Sequence, residues 1–164
     1  MMLDILLSRR SIRKFQAAPV SAQDITDILH AAMQAPSAGN EQAWQFVILQ
    51  GDTLEKYLNI NGNTPKGAPI GILVCADLSA QKYEGYAVQD CAAATENILL
   101  AAHEKGLGSV WTAVFPTAVA DVNALLGLPE HVVPFACIPI GYADGTAQMP
   151  PSRYDAAKVH HNAW

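Results

Sequence analysis

Apolar residues along this chain recur at two spacings. After Ser21, the residues Ile25, Ile28, Leu29, Ala32 and Met33 fall at the three- and four-residue intervals of one helix face until Pro36. Ser21 followed three residues later by Asp24 resembles a capping box, so a helix is predicted over 22–34. A shorter helix carries Leu54 and Leu58 behind a capping Asp52 and stops at the Asn and Gly residues of 59–63. The longest pattern runs from Tyr83 to Lys105 and closes at Gly106. Its apolar stripe, from Val88 and Cys91 to Leu99 and Ala102, is so wide that this helix is expected at the centre of the fold. A last helix, capped by Thr117, holds Val119, Val122, Leu125 and Leu126 and ends at Gly127 and Pro129.

Between the helices lie short apolar runs at 45–50, 70–76, 109–114 and 133–140, the last interrupted by Pro139, and these read as strands. Strands that alternate with helices and are apolar on both faces predict a sheet covered on each side, a three-layer α/β/α arrangement. No repeat or Gly/Pro/Ser-rich linker divides the sequence, so residues 1–164 are expected to form one domain. The stretch 143–164 is polar, yet it ends in VHHNAW, and a terminal tryptophan of this kind is expected to dock.

Composition adds a partner. Apolar residues make up 51% of the chain and charged ones only 15%, against roughly 25% charged in an ordinary soluble domain. So few charges cannot dress the surface of so apolar a chain, which points to a homodimer. The net charge of -5 argues against nucleic acid and anionic membranes as partners. The longest apolar stretch, 68–76, falls far short of the roughly 20 residues that cross a bilayer. The N-terminus, MMLDILLSRR, lacks the features of a signal peptide, and a cytoplasmic location is expected. Cys75, Cys91 and Cys137 have no CxxC spacing and read as small core residues, not as a disulfide or zinc site. His160 and His161 are adjacent and not at ligand spacing, so no metal site is expected. The sequence holds no GxSxG elbow, phosphate loop or GxGxxG turn, which excludes the common serine hydrolases, P-loop enzymes and Rossmann dehydrogenases.

Three segments could carry chemistry. Arg9, Arg10, Arg13 and Lys14 crowd six consecutive residues around Ser11 in an otherwise acidic chain. Guanidinium forks suit bidentate phosphate recognition, though the same residues also fit a solvated basic end of a first helix. The loop 35–46 combines small residues with the amides of Asn40 and Gln42 and with Trp44, a set suited to a flat heteroaromatic ligand or to a plain helix-to-strand connection. In 105–114, a Gly-closed helix passes into a strand whose backbone at Trp111, Thr112 and Ala113 can approach a ring closely, or the glycines only make the turn. Arg153, alone in the tail, could complete an anion site if the tail folds back.

Taken in order, RRSIRKF at 9–15, APSAGNEQAW at 35–44, VQDCAAATENILLAAHEKGLGSVW at 88–111, and IGY followed by Arg153 resemble the nitroreductase family of flavin enzymes over nearly the whole chain. The resemblance implies an α+β fold with a mostly antiparallel central sheet, an interwoven homodimer, and FMN at the dimer interface. It implies that NADH or NADPH reduces the flavin and that a small-molecule electron acceptor, such as a nitroaromatic or quinone, is reduced in turn by ping-pong hydride transfer. No side chain is implied as catalytic. As cofactor-binding residues it implies Arg9, Arg10, Ser11 and Arg153 toward the phosphate and Arg13 beside the pyrimidine edge. Pro36, Ser37 and Ala38 belong to a loop reaching the other subunit's flavin, with Asn40 and Gln42 close by. Asn61, or Asn63, falls at the pyrimidine edge, and Trp111, Thr112 and Ala113 present backbone near the flavin N5. Pro151 stands where some relatives have a second tail cation, which implies either weaker phosphate binding or compensation by Lys158, and the short 78–85 connector implies an open flavin face. The alternatives are a flavin-binding or sensing module without turnover, or a relative acting on flavin itself or on halogenated substrates.

Overall fold

The computed structural model describes residues 2–149 and 151–164. In chain order it contains α1 (Met2–Ser8), α2 (Ala22–Ala32), β1 (Trp44–Leu49), α3 (Gly51–Ile60), β2 (Ile70–Asp77), α4 (Ala87–Glu104), β3 (Gly108–Ser109), β4 (Thr112–Ala113), α5 (Val119–Leu126) and β5 (Val132–Gly141). The sheet runs β1-β2-β5, and both β3 and β4 lie along the free edge of β5, with every strand pairing antiparallel.

Side-chain alternation along the two central strands generates the layers. Ile70, Ile72 and Val74 of β2 face the same way as Ala136, Ile138 and Ile140 of β5, and they pack under Ile25 and Ile28 of α2 and Cys91, Ala94 and Ile98 of α4. Leu73, Cys75 and Cys137 face the opposite side, where Leu54, Tyr57 and Leu58 of α3 and Val122 of α5 cover them. The fold is therefore α+β, with helices on both faces of an antiparallel sheet. The three cysteines are buried and free, as small core residues. No helix among the described residues is long and apolar enough to cross a membrane.

Local structure departs from expectation at several ends. Asp52 does not cap α3: Gln50 takes the cap without a side-chain bond, and Gly51 supplies a backbone turn at φ +52° that puts Asp52 in the first turn. Thr117 does not cap α5 either, because it lies inside the 3-10 turn Pro116–Ala118 that leads into the helix. The central helix starts at Ala87 and not at Tyr83, since Gly85 at φ +86° turns the chain just before it, and Val88 is exposed. The predicted strand 109–114 divides in two. Both pieces keep one register on β5, Ser109 opposite Ile140 and Thr112 opposite Cys137, so Val110 and Trp111 stand across from Pro139 and Ile138. Pro139 has no N–H to give the ladder, and the strand breaks where it faces that proline.

Helices α2 and α4 are also tied across their ends. The Lys105 ammonium donates to Asp24 Oδ1 at 2.9 Å and to Asp27 Oδ2 at 2.5 Å. Asp24 is held below the ordinary 3.8, first by the Ser21 hydroxyl and then by Lys105, and Asp27 is held below it first by Lys105. Lys105 is raised, first by Asp27. A depressed carboxylate contributes stability that is present above 3.8 and is lost as pH falls through the lower folded-state value. The stability difference between the native chain and Lys105→Met, measured by urea unfolding, should therefore be smaller at pH 3 than at pH 7.

Candidate functional site

The N-terminal segment after α1 is held to the sheet by its backbone. Ser11 bridges Ser109, Ile12 N–H donates to the Ser109 carbonyl at 2.9 Å, and Phe15 bridges Ala143. Gln16 N–H donates to Tyr142 O at 2.9 Å and Asp144 N–H to Lys14 O at 3.0 Å, so residues 11–16 are zipped both to β3 and to the start of the tail. Gly108 makes room for this crossing: a Cβ there would sit 2.7 Å from Ile12 Cγ2.

This crossing brings the two ends of the chain to one place. Arg9, Arg10, Ser11, Arg13 and Arg153 line a single cavity of about 410 Å³ with Ala147 and Gln148, and no carboxylate among the described residues lines it. Glu96 Oε1 lies 3.8 Å from Arg9 Nε. The Arg10 guanidinium lies below its ordinary value, chiefly through partial desolvation and then through the charges of Arg153 and Arg9. Like charges gathered without an acid between them favour an anion, and forks with a neighbouring hydroxyl suit phosphate oxygens. Arg10 differs from the others. It donates to the carbonyls of Gln148, at 3.1 Å, of Leu7, at 2.9 Å, and of Arg9, so it straps the tail to the end of α1. Lys158 does not join the cavity; it pairs with Asp155 in the exposed tail.

The loop before β1 lies elsewhere. Pro36, Ser37, Ala38, Asn40 and Gln42 line none of the arginine cavity in this subunit. The loop is pinned to the start of α4, where Asp90 Oδ1 accepts from Ala38 N–H at 3.0 Å, and is closed on itself by Gln42 N–H donating to Ser37 Oγ at 3.0 Å. Glu41 Oε1 accepts from the N–H groups of Lys82 and Tyr83 at 2.8 and 3.0 Å. These bonds hold Asn40 and Gln42 at φ +57° and +53°, a left-handed region that costs a non-glycine residue about 1–2 kcal/mol. Asp90 and Glu41 were not distinguished in the sequence as loop anchors, because an acid in a first helical turn or a surface loop is common in any chain.

The third segment runs on from the crossing. Trp111 packs edge-to-face on Phe135, with ring centroids 5.6 Å apart, and Ala113 is exposed further along the same edge. The Thr112 side chain points inward, donating to Cys137 O at 2.7 Å and meeting Thr64 Oγ1 at 3.0 Å. Asn61 is not a ligand-facing side chain in this subunit. It is fully buried, its Nδ2 donating to Ala113 O at 2.9 Å and to Asn63 Oδ1 at 2.8 Å, and its Oδ1 accepting from Phe115 N–H at 2.9 Å.

The fold is thus a helix-covered antiparallel sheet with arginines from both ends of the chain gathered at one edge. The model of the nitroreductase family matches residues 6–65 and 56–142, and the chain belongs to that family. It is 43% identical over 169 residues to a protein of Methanothermobacter thermautotrophicus named "Putative NADH dehydrogenase/NAD(P)H nitroreductase", covering 99% of this chain and 87% of that one. Among solved structures, a "Putative NADH Oxidase" from Clostridium acetobutylicum superposes with a TM-score of 0.93 at 36% identity, covering 98% of this chain and all of that one. An FMN-dependent nitroreductase from Clostridium difficile gives 0.85 at 30% identity, covering 99% of each chain.

Because Gly108 admits Ile12, Gly108→Ala should destabilise the fold by about 1–3 kcal/mol through overpacking. Gly62→Ala, where an added Cβ meets nothing within 4 Å, serves as the control, and urea unfolding measures both.

Proposed function

We propose that this protein is an FMN-dependent NAD(P)H oxidoreductase that works as a homodimer. The observation that carries the reading is the convergence of Arg9, Ser11, Arg13 and Arg153 on one acid-free cavity. Arg9, Ser11 and Arg153 hold the phosphate, Arg13 lies beside the pyrimidine edge, and Arg10 supports them by fixing the tail. When bound, FMN supplies the two-electron exchange between NADH or NADPH and an oxidised acceptor such as a nitroaromatic or quinone. The chain's own part is to bind the phosphate, exclude water from one face of the ring, and present the backbone of Trp111, Thr112 and Ala113.

A second subunit has two roles in this reading. The loop 36–42 is built with an enforced backbone but lies away from the arginine cavity of its own subunit, so it serves the flavin of the other. The tail supplies the apolar contact: Tyr154, Val159 and Trp164 are exposed, and Trp164 touches little beyond His160, on which it stacks at 4.3 Å. An apolar groove of about 450 Å³ between α1, α2 and α4, walled by Ile5, Leu6, Leu100 and Ala101, is a further surface for the partner to cover. Residues 1–164 form one domain whose tail packs on the partner, located in the cytoplasm. The connector 78–86 is a short 3-10 turn and loop, which leaves the acceptor side open.

The purified protein should be yellow, should release FMN on denaturation, and should oxidise NADH or NADPH steadily with a quinone acceptor. Colourless protein that cannot be reconstituted with FMN overturns the reading, and FMN retention without turnover identifies a binding module. Arg153→Ala should raise the dissociation constant for FMN about 10- to 100-fold, the worth of one charge-assisted phosphate contact, as read by fluorescence titration.

A further inference from the structure

We infer that Asn61 is a positioning residue that sets the backbone of Thr112–Phe115 and does not itself touch the flavin, an inference that rests on the proposed FMN function for its effect on turnover. Strand β4 is bonded to β5 on one side only, where Val114 N–H meets the Phe135 carbonyl at 3.4 Å. On its other side no strand follows. In extended backbone the carbonyl of one residue and the N–H two residues on point the same way. Here those two groups, Ala113 C=O and Phe115 N–H, are met by the two ends of a single amide, Asn61 Nδ2 and Oδ1, each at 2.9 Å. The side chain thus does the work of a neighbouring strand one residue long.

Asn61 is itself fixed from three directions. It closes α3, its N–H donating to Tyr57 O at 2.8 Å, and it is fully buried beside the Tyr57 hydroxyl, with Nδ2 3.0 Å from that oxygen. Thr64 and Thr112 continue the same buried polar chain to the Cys137 carbonyl of β5. A buried amide with both ends engaged costs little, whereas removing it leaves the part-buried Phe115 N–H without this partner and the Ala113 carbonyl with Asn63 alone. Because the N–H and C=O of one strand residue share a side, clamping the Ala113 carbonyl also fixes the direction of the Ala113 N–H. Asn63, exposed and 3.1 Å from the same carbonyl, makes no bond to Phe115 and gives the comparison.

The test uses the full-length protein with and without FMN. In Asn61→Ala, amide hydrogen exchange at Phe115 should rise about tenfold or more, whereas Asn63→Ala should leave it within about twofold. At saturating FMN, kcat of Asn61→Ala should fall about tenfold with KM for NAD(P)H within about threefold, the signature of a displaced backbone and not of a lost nicotinamide contact. Asn61→Ser, smaller but still polar, replaces it if the alanine variant does not fold, with the same expectation at Phe115. The inference is overturned if Phe115 exchange stays at the native level in the Asn61 variant. It is equally overturned if FMN affinity collapses while kcat at saturating FMN is native, since that marks a direct flavin contact. Failure of the unmodified protein to bind FMN sinks the proposed function instead, and the exchange measurement on that same protein still decides whether Asn61 is the clamp.

Discussion

The site depends on a short piece of backbone pairing: residues 11–16 laid across the end of β3 and along the first residues after β5. Each bond in it is an ordinary N–H···O contact near 2.9 Å, worth about 1 kcal/mol on its own. Its consequence is topological. One stretch of chain contacts an edge strand on one side and the tail on the other, so that the arginines preceding it and the arginine following the tail's first turn cannot avoid one another. Without the crossing, Arg9 and Arg153 would belong to two loose termini, and like charges would keep them apart. The sheet edge holds in place what electrostatics opposes, and the surplus positive potential is then available to a ligand. Gly108 is the steric condition for this, because any side chain there would meet Ile12 and lift the crossing off the strand.

A second constraint acts on the other side of the same edge. Pro139 removes a donor from β5, and the facing strand breaks into β3 and β4. The break leaves β4 two residues long, too short to be rigid by its own ladder bonds. The buried polar group of Tyr57, Asn61, Thr64 and Thr112 compensates from beneath, inside an otherwise apolar layer of leucine and valine. Burial pushes the Tyr57 hydroxyl far up and the Cys137 thiol to about 12, so none of these groups titrates in the ordinary range and the network stays neutral. It is a support, and its members face inward for that reason.

Much of this was legible in the sequence, and the parts that were not share a cause. Helix α2 could be read from Ser21, Asp24 and the spacing of Ile25 and Ile28, because capping and periodicity are local signals, and Ser21 Oγ does accept from Asp24 N–H at 3.0 Å. The arginine cluster was legible as composition, but whether it was a site turned on Arg153, more than 130 residues away, and only family resemblance joined them. Asp52, Thr117 and the strand break were misjudged because each depends on what lies across from it: a glycine turn, a 3-10 entry and a facing proline. The family resemblance pointed to Asn61 or Asn63 without choosing between them. Nothing local reveals that both ends of the Asn61 amide are engaged by a strand fifty residues later.

The tail divides at the arginine cavity, and the division bears on the assembly. Up to Gln148 it is bonded to its own subunit, through Ala143, Asp144 and the Arg10 strap. From Pro151 onward every residue is exposed, and the bonds present are short-range ones, such as Asp155 capping its own turn. Such bonds set little against about 1–2 kcal/mol of backbone entropy for each residue ordered. In the proposed homodimer, burying Tyr154, Val159 and Trp164 against a second copy would provide the missing term at about 25 cal/mol for each Å² of apolar surface covered. Docking of the segment from Pro151 onward in that homodimer would also steady Arg153, whose guanidinium lines the anion cavity. Ligand binding and subunit association would then be coupled through that residue, each strengthening the other by the same free energy.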